Sequence, residues 1–204
     1  MHLFFETLSI HFLSCSHIIF TKDDIMIVLA GASASGKTEV AKMLSSKYGI
    51  VKVITTTTRD LRVGEVNGRD YFFVSKEKFH QMIEDGRFVE FTIYNDHLYG
   101  STKDQIAMNK CIVVDPAGLR AYISLNNPDI ITFFLDSTEE TRKKRMIMRG
   151  DKEEKIACRL IHDREAFKKE NIPEVDYHVN SETTTVEEVA DQIFKIYQEF
   201  LANK

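Results

Sequence analysis

Apolar residues recur along this chain with two different periods, and the changes of period mark out its elements. Residues 25–30 (IMIVLA) form an unbroken apolar run closed by Gly31, the pattern of a strand buried on both faces of a parallel sheet. Residues 37–47 instead place Val40, Ala41 and Leu44 on one side and stop at Gly49, which predicts a helix. Further β-like runs are 51–54, 71–74, 88–94, 111–114, 130–135 and 177–179. Helical spacing returns over 76–84 and from Asp115-Pro116 to about Leu125. It returns again over 138–148 and 153–169, which Gly150 separates, and over 186–201. Thr184 and Glu187 precede and open the last helix at a capping-box spacing. All nine glycines fall at predicted turns or element ends, which supports the segmentation. Strand–helix alternation implies an α/β fold with right-handed crossovers. The polar stretch from Thr55 to Ser101 breaks that rhythm and reads as an inserted, mostly antiparallel lobe.

Composition narrows the class. The chain has 204 residues, 43% hydrophobic and 28% charged, so neither disorder nor a fibrous repeat fits. Its net charge of -4 argues against a general nucleic-acid coat, while leaving room for a locally basic pocket. Three cysteines at wide spacing, with no Cys-x-x-Cys, predict neither a disulfide framework nor a thiolate zinc site, and make a reducing, cytoplasmic setting the default. Residues 8–20 (LSIHFLSCSHIIF) are too short and too polar to span a membrane, and Glu6 stands where a signal peptide would carry basic charge. We therefore expect residues 1–24 to form a poorly ordered extension before a domain over 25–204. Met26, at the head of the first strand, also leaves an internal translation start open.

The strongest chemical signal is Gly31-Ala32-Ser33-Ala34-Ser35-Gly36-Lys37-Thr38, a G-x-x-x-x-G-K-[ST] motif between a predicted strand and helix. Glycines let successive N–H groups turn inward onto phosphate oxygens, and the following helix adds the positive end of its dipole. Lys37 supplies a mobile charge for the β- and γ-phosphates, and the Thr38 hydroxyl suits Mg²⁺. A GTPase would add an Asn-Lys-x-Asp base reader; the Asn-Lys pairs here, Asn109-Lys110 and Asn203-Lys204, lack the acid.

Downstream, residues 55–74 read TTTTRDLRVGEVNGRDYFFV. Arg59 and Arg62, three apart in a glycine-bearing loop, suit a forked clamp on a phosphate dianion, with the Tyr71 and Tyr99 hydroxyls as further donors. Glu90 lies in a strand that alternates Phe88, Glu90 and Thr92 against Val89, Phe91 and Ile93. This block, with residues 86–90, 99–102, 149–150, 153–160 and 179–180, resembles the guanylate kinase family, and the resemblance runs from about Met26 to the C-terminus. It implies a P-loop kinase core (25–54 and 111–204) with a parallel sheet flanked by helices, a GMP-binding lobe (about 55–101) and a helical lid (about 149–170). It further implies that ATP binds at residues 31–38 with Mg²⁺ on Thr38. Arg59, Arg62, Tyr71 and Tyr99 would then hold the GMP phosphate, and Glu90, Thr55 and Ser101 would surround guanine. Arg149 and Arg159 would close on the transferring phosphoryl group as catalytic residues beside Lys37. Most of the basic residues of 142–164 are expected to be solvated helix faces paired with Glu139, Glu140, Glu153 and Glu154.

One stretch departs from the family pattern. Guanylate kinases usually carry D-x-[DE]-x-x-G after a longer connection, whereas this chain has Val113-Val114-Asp115-Pro116-Ala117-Gly118. Asp115 matches the second acid and is a candidate ligand residue, yet Asp-Pro is also an N-cap signal. The implied function is ATP-dependent phosphorylation of GMP, and of dGMP. The alternatives are a non-catalytic binding module of the same fold and a kinase for another small phosphorylated substrate. ATP and GMP are the expected partners, with no nucleic acid and no membrane.

Overall fold

The computed structural model describes residues 25–61, 64–94, 96–106 and 109–203. The extension expected over residues 1–24 and the clamp residue Arg62 both lie outside the described residues.

The first half of the chain contains β1 (Met26–Ala30), α1 (Lys37–Tyr48), β2 (Val51–Lys52), β3 (Thr56–Thr57), β4 (Phe72–Phe73), α2 (Lys76–Glu84), β5 (Phe88–Tyr94) and β6 (His97–Thr102). The second contains β7 (Lys110–Val113), α3 (Pro116–Ser124), β8 (Ile130–Asp136), α4 (Glu139–Met148), α5 (Glu153–Ala166), β9 (Tyr177–Asn180) and α6 (Val186–Ala202). Five strands form one parallel sheet in the order β2-β7-β1-β8-β9.

The apolar run at 25–30 reads as it does because β1 is central and covered twice. Ile25, Ile27 and Leu29 enter a core that includes Val40, Ala41 and Leu44 of α1 and Ile193 and Tyr197 of α6. Met26, Val28 and Ala30 face the other way, onto Leu119 and Tyr122 of α3. Each such buried aliphatic side chain contributes about 1.5–3 kcal/mol relative to exposure. By contrast, β2 is a two-residue edge strand with both residues exposed, shorter than the 51–54 run predicts.

The second sheet has the order β4-β3-β6-β5. β3 and β6 run antiparallel, as do β5 and β6, while β3 and β4 run parallel, so the sheet is mostly antiparallel as expected. Phe79 and Met82 of α2 pack with Phe88 and Leu98 to give this lobe a small core of its own.

Two local expectations need correction. The capping box at α6 joins Thr185 and Glu188, one residue later than Thr184 and Glu187. The Thr184 hydroxyl instead donates to the Asn180 carbonyl at 2.8 Å. Gly100 is not at a turn but inside β6, where an added Cβ would lie 2.7 Å from Phe88 Cδ1 and 2.9 Å from the Glu90 carbonyl oxygen. Close approach of β5 and β6, rather than a left-handed backbone, requires glycine there.

Candidate functional site

The phosphate loop follows β1 directly, so its start is fixed by the most buried strand of the molecule. At Gly31 the backbone adopts φ 143, and an added Cβ would lie 2.8 Å from the Leu135 carbonyl oxygen of β8. Any other side chain would force the loop off the sheet. Ala34 takes a left-handed φ of 60 and Gly36 a φ of 103, which reverse the chain between β1 and α1. Lys37 curls back over its own loop. Its Nζ donates to the carbonyls of Gly31 at 2.5 Å and Ala32 at 2.8 Å. Burial of the ammonium lowers its pKa from 10.5 to about 8, against the opposing pull of Asp163. Thr38, the next residue of α1, exposes its side chain at the same cavity, which has a volume of about 440 Å³.

A second constellation is assembled by the register of the antiparallel lobe. Thr57 pairs with Tyr99 and Thr56 with Gly100, which leaves Thr55 just before β3, one residue outside the paired register. Ser101 pairs with Glu90 of β5. The register therefore brings Ser101 and Glu90 together, with Thr55 at the adjoining end of β3. Glu90 is half-buried, and its Oε1 accepts from the Ser101 hydroxyl at 2.7 Å and from the Ser101 N–H at 3.2 Å. Burial raises its pKa above the usual 4.5, the Ser101 hydroxyl opposes that shift, and the Asp115 charge adds to it. Glu90 and Asp115 line a cavity of about 300 Å³ between β5 and α3. Asp115 also caps α3, accepting from Gly118 N–H at 2.8 Å with Pro116 in the first turn, so the N-cap reading of this residue holds in geometry.

Beyond that row stand Arg59, Tyr71 and Tyr99. The Arg59 guanidinium lies 5.5 Å from the Tyr71 ring centroid and 5.5 Å from that of Phe73, while the Tyr71 and Tyr99 rings are 6.1 Å apart. Arg59 is 9% exposed and donates to Glu65 Oε1 at 2.6 Å and to the Asp60 carbonyl at 2.7 Å. Its guanidinium plane is thus held by a carboxylate and two rings, an orienting frame for an anion.

Arg149 and Arg159 converge on one carboxylate. Arg149 Nε donates to Asp151 Oδ1 at 3.0 Å, and Arg159 Nη1 to Asp151 Oδ2 at 3.1 Å. Both side chains are about half exposed, at 54% and 48%. Such exposed pairs are worth about 0–1 kcal/mol and exchange readily for a better anion.

The basic stretch 142–164 divides differently from the expected solvated faces. Lys144 does pair with Glu140, and Arg164 with Glu139, in exposed bridges. Arg142 and Arg145 do not. Arg142 is buried against Asp163, and Arg145 donates to the carbonyls of Ala34, Ser35 and Ser181. Arg145 therefore joins the phosphate loop to the β9–α6 connection and lines the 440 Å³ cavity together with Ser181 and Thr184. Sequence reasoning missed Arg145, Ser181 and Thr184 at this cavity. For Arg145 the available signal was its spacing from Arg142 and Arg149, which puts the three guanidinium groups on one side of α4 and its C-cap.

The guanylate kinase family model matches residues 24–199. A guanylate kinase of Clostridioides difficile (strain 630) is 28% identical, over 90% of this chain and 100% of that protein. A guanylate kinase of Wolinella succinogenes is 35% identical, over 67% of this chain and 68% of the relative. Among solved structures, guanylate kinase from Anaplasma phagocytophilum superposes with a TM-score of 0.57 at 24% identity, covering 86% of this chain and 85% of that one. At that identity the superposition bears on the fold alone.

Proposed function

The chain belongs to the guanylate kinase family, and from that premise we propose that it transfers the γ-phosphoryl group of ATP to GMP, and also to dGMP. The observation that carries this reading is the pairing, in one chain, of a phosphate loop with a turned-back lysine and a separate carboxylate–hydroxyl row beside an oriented arginine. Residues 31–38 bind the ATP phosphates through loop N–H groups and Lys37. On ATP binding Lys37 exchanges its bonds to Gly31 and Ala32 for phosphate oxygens, and those anions stabilise the ammonium that burial had weakened.

GMP occupies the lobe. Arg59, with Arg62, Tyr71 and Tyr99, holds its phosphate, and Glu90, Thr55, Ser101 and Asp115 surround guanine. A GMP phosphate oxygen then forms a bond to the γ-phosphorus as the bond from that phosphorus to the β–γ bridging oxygen breaks, so ADP leaves and no enzyme-bound intermediate is needed. Arg149 and Arg159 leave Asp151 to neutralise charge on the moving group. Mg²⁺ fits the exposed Thr38 hydroxyl. Among the described residues no cluster of acids, histidines or cysteines could hold a metal by itself, so the ion would share Thr38 with phosphate oxygens and water. When bound, it would supply charge neutralisation on the ATP phosphates.

We place the enzyme in the cytoplasm. Cys111 and Cys158 are free thiols, and no helix among the described residues is long and apolar enough to cross a membrane. A coupled assay offering ATP with GMP, dGMP, AMP, UMP and CMP tests the function. GMP should be preferred, and Lys37→Ala should abolish turnover in a folded protein. Preference for AMP or a pyrimidine nucleotide, or full turnover without Lys37, overturns the assignment.

A further inference from the structure

Behind the phosphate loop lies a buried charge cluster that the phosphoryl-transfer mechanism above does not use. Asp163 of α5 is 3% exposed and Arg142 of α4 is 7% exposed. The two carboxylate oxygens of Asp163 accept three hydrogen bonds, from the Ser33 N–H at 2.9 Å, the Ser33 hydroxyl at 3.0 Å and Arg142 Nη1 at 2.5 Å. Arg142 also reaches the Ser33 carbonyl at 3.5 Å, while its buried Nε has no hydrogen-bond partner in the structure. Ser33 is thus gripped at its N–H, hydroxyl and carbonyl by residues 109 and 130 positions away. A buried charged group is costly unless it is paired, so this arrangement specifies one position of the loop against the two helices.

We propose that Asp163 is a positioning residue for phosphoryl transfer: it clasps the phosphate loop at Ser33 and fixes α5 against it, while Arg142 cancels its charge toward the ATP phosphates. Two consequences follow from the helix geometry. Arg159 precedes Asp163 by four residues, so both lie on one face of α5, and the clasp sets the height from which Arg159 reaches the phosphates. The clasp likewise ties any displacement of Ser33 to one of α5. Met146, Ile156 and Leu160, packed against Ala34, form the apolar half of the same joint.

Charge is the feature that separates this role from simple packing. Lys37 feels Asp163 from α5, which raises its pKa, and Arg142 from α4, which lowers it; Arg145, Arg149 and Glu39 line the same cavity. The inference rests on the loop being the ATP site. The test measures ATP and GMP dissociation constants and their pH dependence for the wild type, R142Q, D163N and the double variant R142Q/D163N. R142Q leaves an uncancelled carboxylate beside the phosphates and should weaken ATP binding by about tenfold or more. The double variant should recover much of that loss, and GMP binding should stay within about twofold throughout. Wild-type ATP affinity should decline as pH rises through about 8, where Lys37 loses its proton, and in D163N the decline should move to lower pH. If R142Q does not fold, the D163N shift and the double variant decide the matter. An unmoved pH midpoint in D163N, ATP binding in R142Q equal to wild type, or a parallel loss of GMP binding overturns the clasp. Absence of ATP binding by the wild type would instead overturn the assignment of the loop.

Discussion

Replacing Glu90 by Gln exchanges a carboxylate for an isosteric amide at the centre of the proposed base row. Glu90 Oε1 already takes both Ser101 donors, which fixes the plane of the carboxylate. Guanine offers two adjacent donors, N1–H and the 2-amino group, and an ionised carboxylate can accept both. Hydrogen bonds to a charged group contribute about 1.5–3 kcal/mol each, so two of them amount to about 3–6 kcal/mol. At about 1.4 kcal/mol per decade, E90Q should therefore lower kcat/KM for GMP by about 10²–10⁴. The amide also presents an NH₂ group, which opposes a guanine donor but suits the N1 lone pair of adenine. The AMP-to-GMP ratio should accordingly rise. Stability should move the other way. Burial holds the Glu90 pKa above the ordinary range, so its ionised form is disfavoured in the fold, and a neutral amide removes that penalty. A raised carboxyl pKa means that stability from this group grows as pH falls, and that GMP binding, which needs the ionised form, is lost over the same range. Steady-state kinetics with both nucleotides from pH 4.5 to 8, alongside thermal melts, check all three statements. E90Q should show an unchanged or higher Tm and a flatter acid limb for GMP. An unchanged nucleotide ratio, or a lower Tm with equal losses on ATP and GMP, would refute the base-reading role.

Arg59→Lys should raise the KM for GMP by about tenfold or more and leave ATP affinity unchanged, because an ammonium cannot fork between phosphate and Glu65 or stack on Tyr71 and Phe73; a matching loss of ATP affinity would move Arg59 out of the GMP site. Gly100→Ala should cost about 1–3 kcal/mol, since the new methyl meets the Glu90 carbonyl oxygen at 2.9 Å and backbone cannot yield as a side-chain tip does. The same displacement separates Glu90 from Ser101, so GMP KM should rise with the fall in Tm; a stable variant with native GMP kinetics contradicts the close approach of β5 and β6.

What the sequence disclosed about this protein depended on how local each feature is. The strand–turn–helix geometry of residues 26–48 was legible because strand, glycines and helix are contiguous, and Gly31 and Gly36 are demanded by their positive φ. The two-faced burial of β1 was legible for the same reason. The base row was not legible from periodicity: Thr55, Glu90 and Ser101 are far apart in sequence, and β3 and β6 are polar strands with no alternating apolar signal. The grouping of these three is implied by the resemblance to a known family, and the strand register gives a physical reason for the Glu90–Ser101 part of it. Gly100 was misassigned because a glycine needed for close packing looks the same in sequence as one needed for a turn. The α6 cap was misplaced by one because Thr184 and Thr185 are chemically equal; the bond from Thr184 to Asn180 decides between them. Arg142 and Arg145 are the most instructive failure. Charge runs on helices are usually solvated, and within 139–148 the one contrary sign is the spacing that puts Arg142 and Arg145 on one side. Arg142 is buried and Arg145 half-buried because of partners at the phosphate loop, at Ser181 and at Asp163, none of them within that helix. A short-range pattern records which side of a helix is basic, whereas what covers that side is decided by the packing of α5 against the loop.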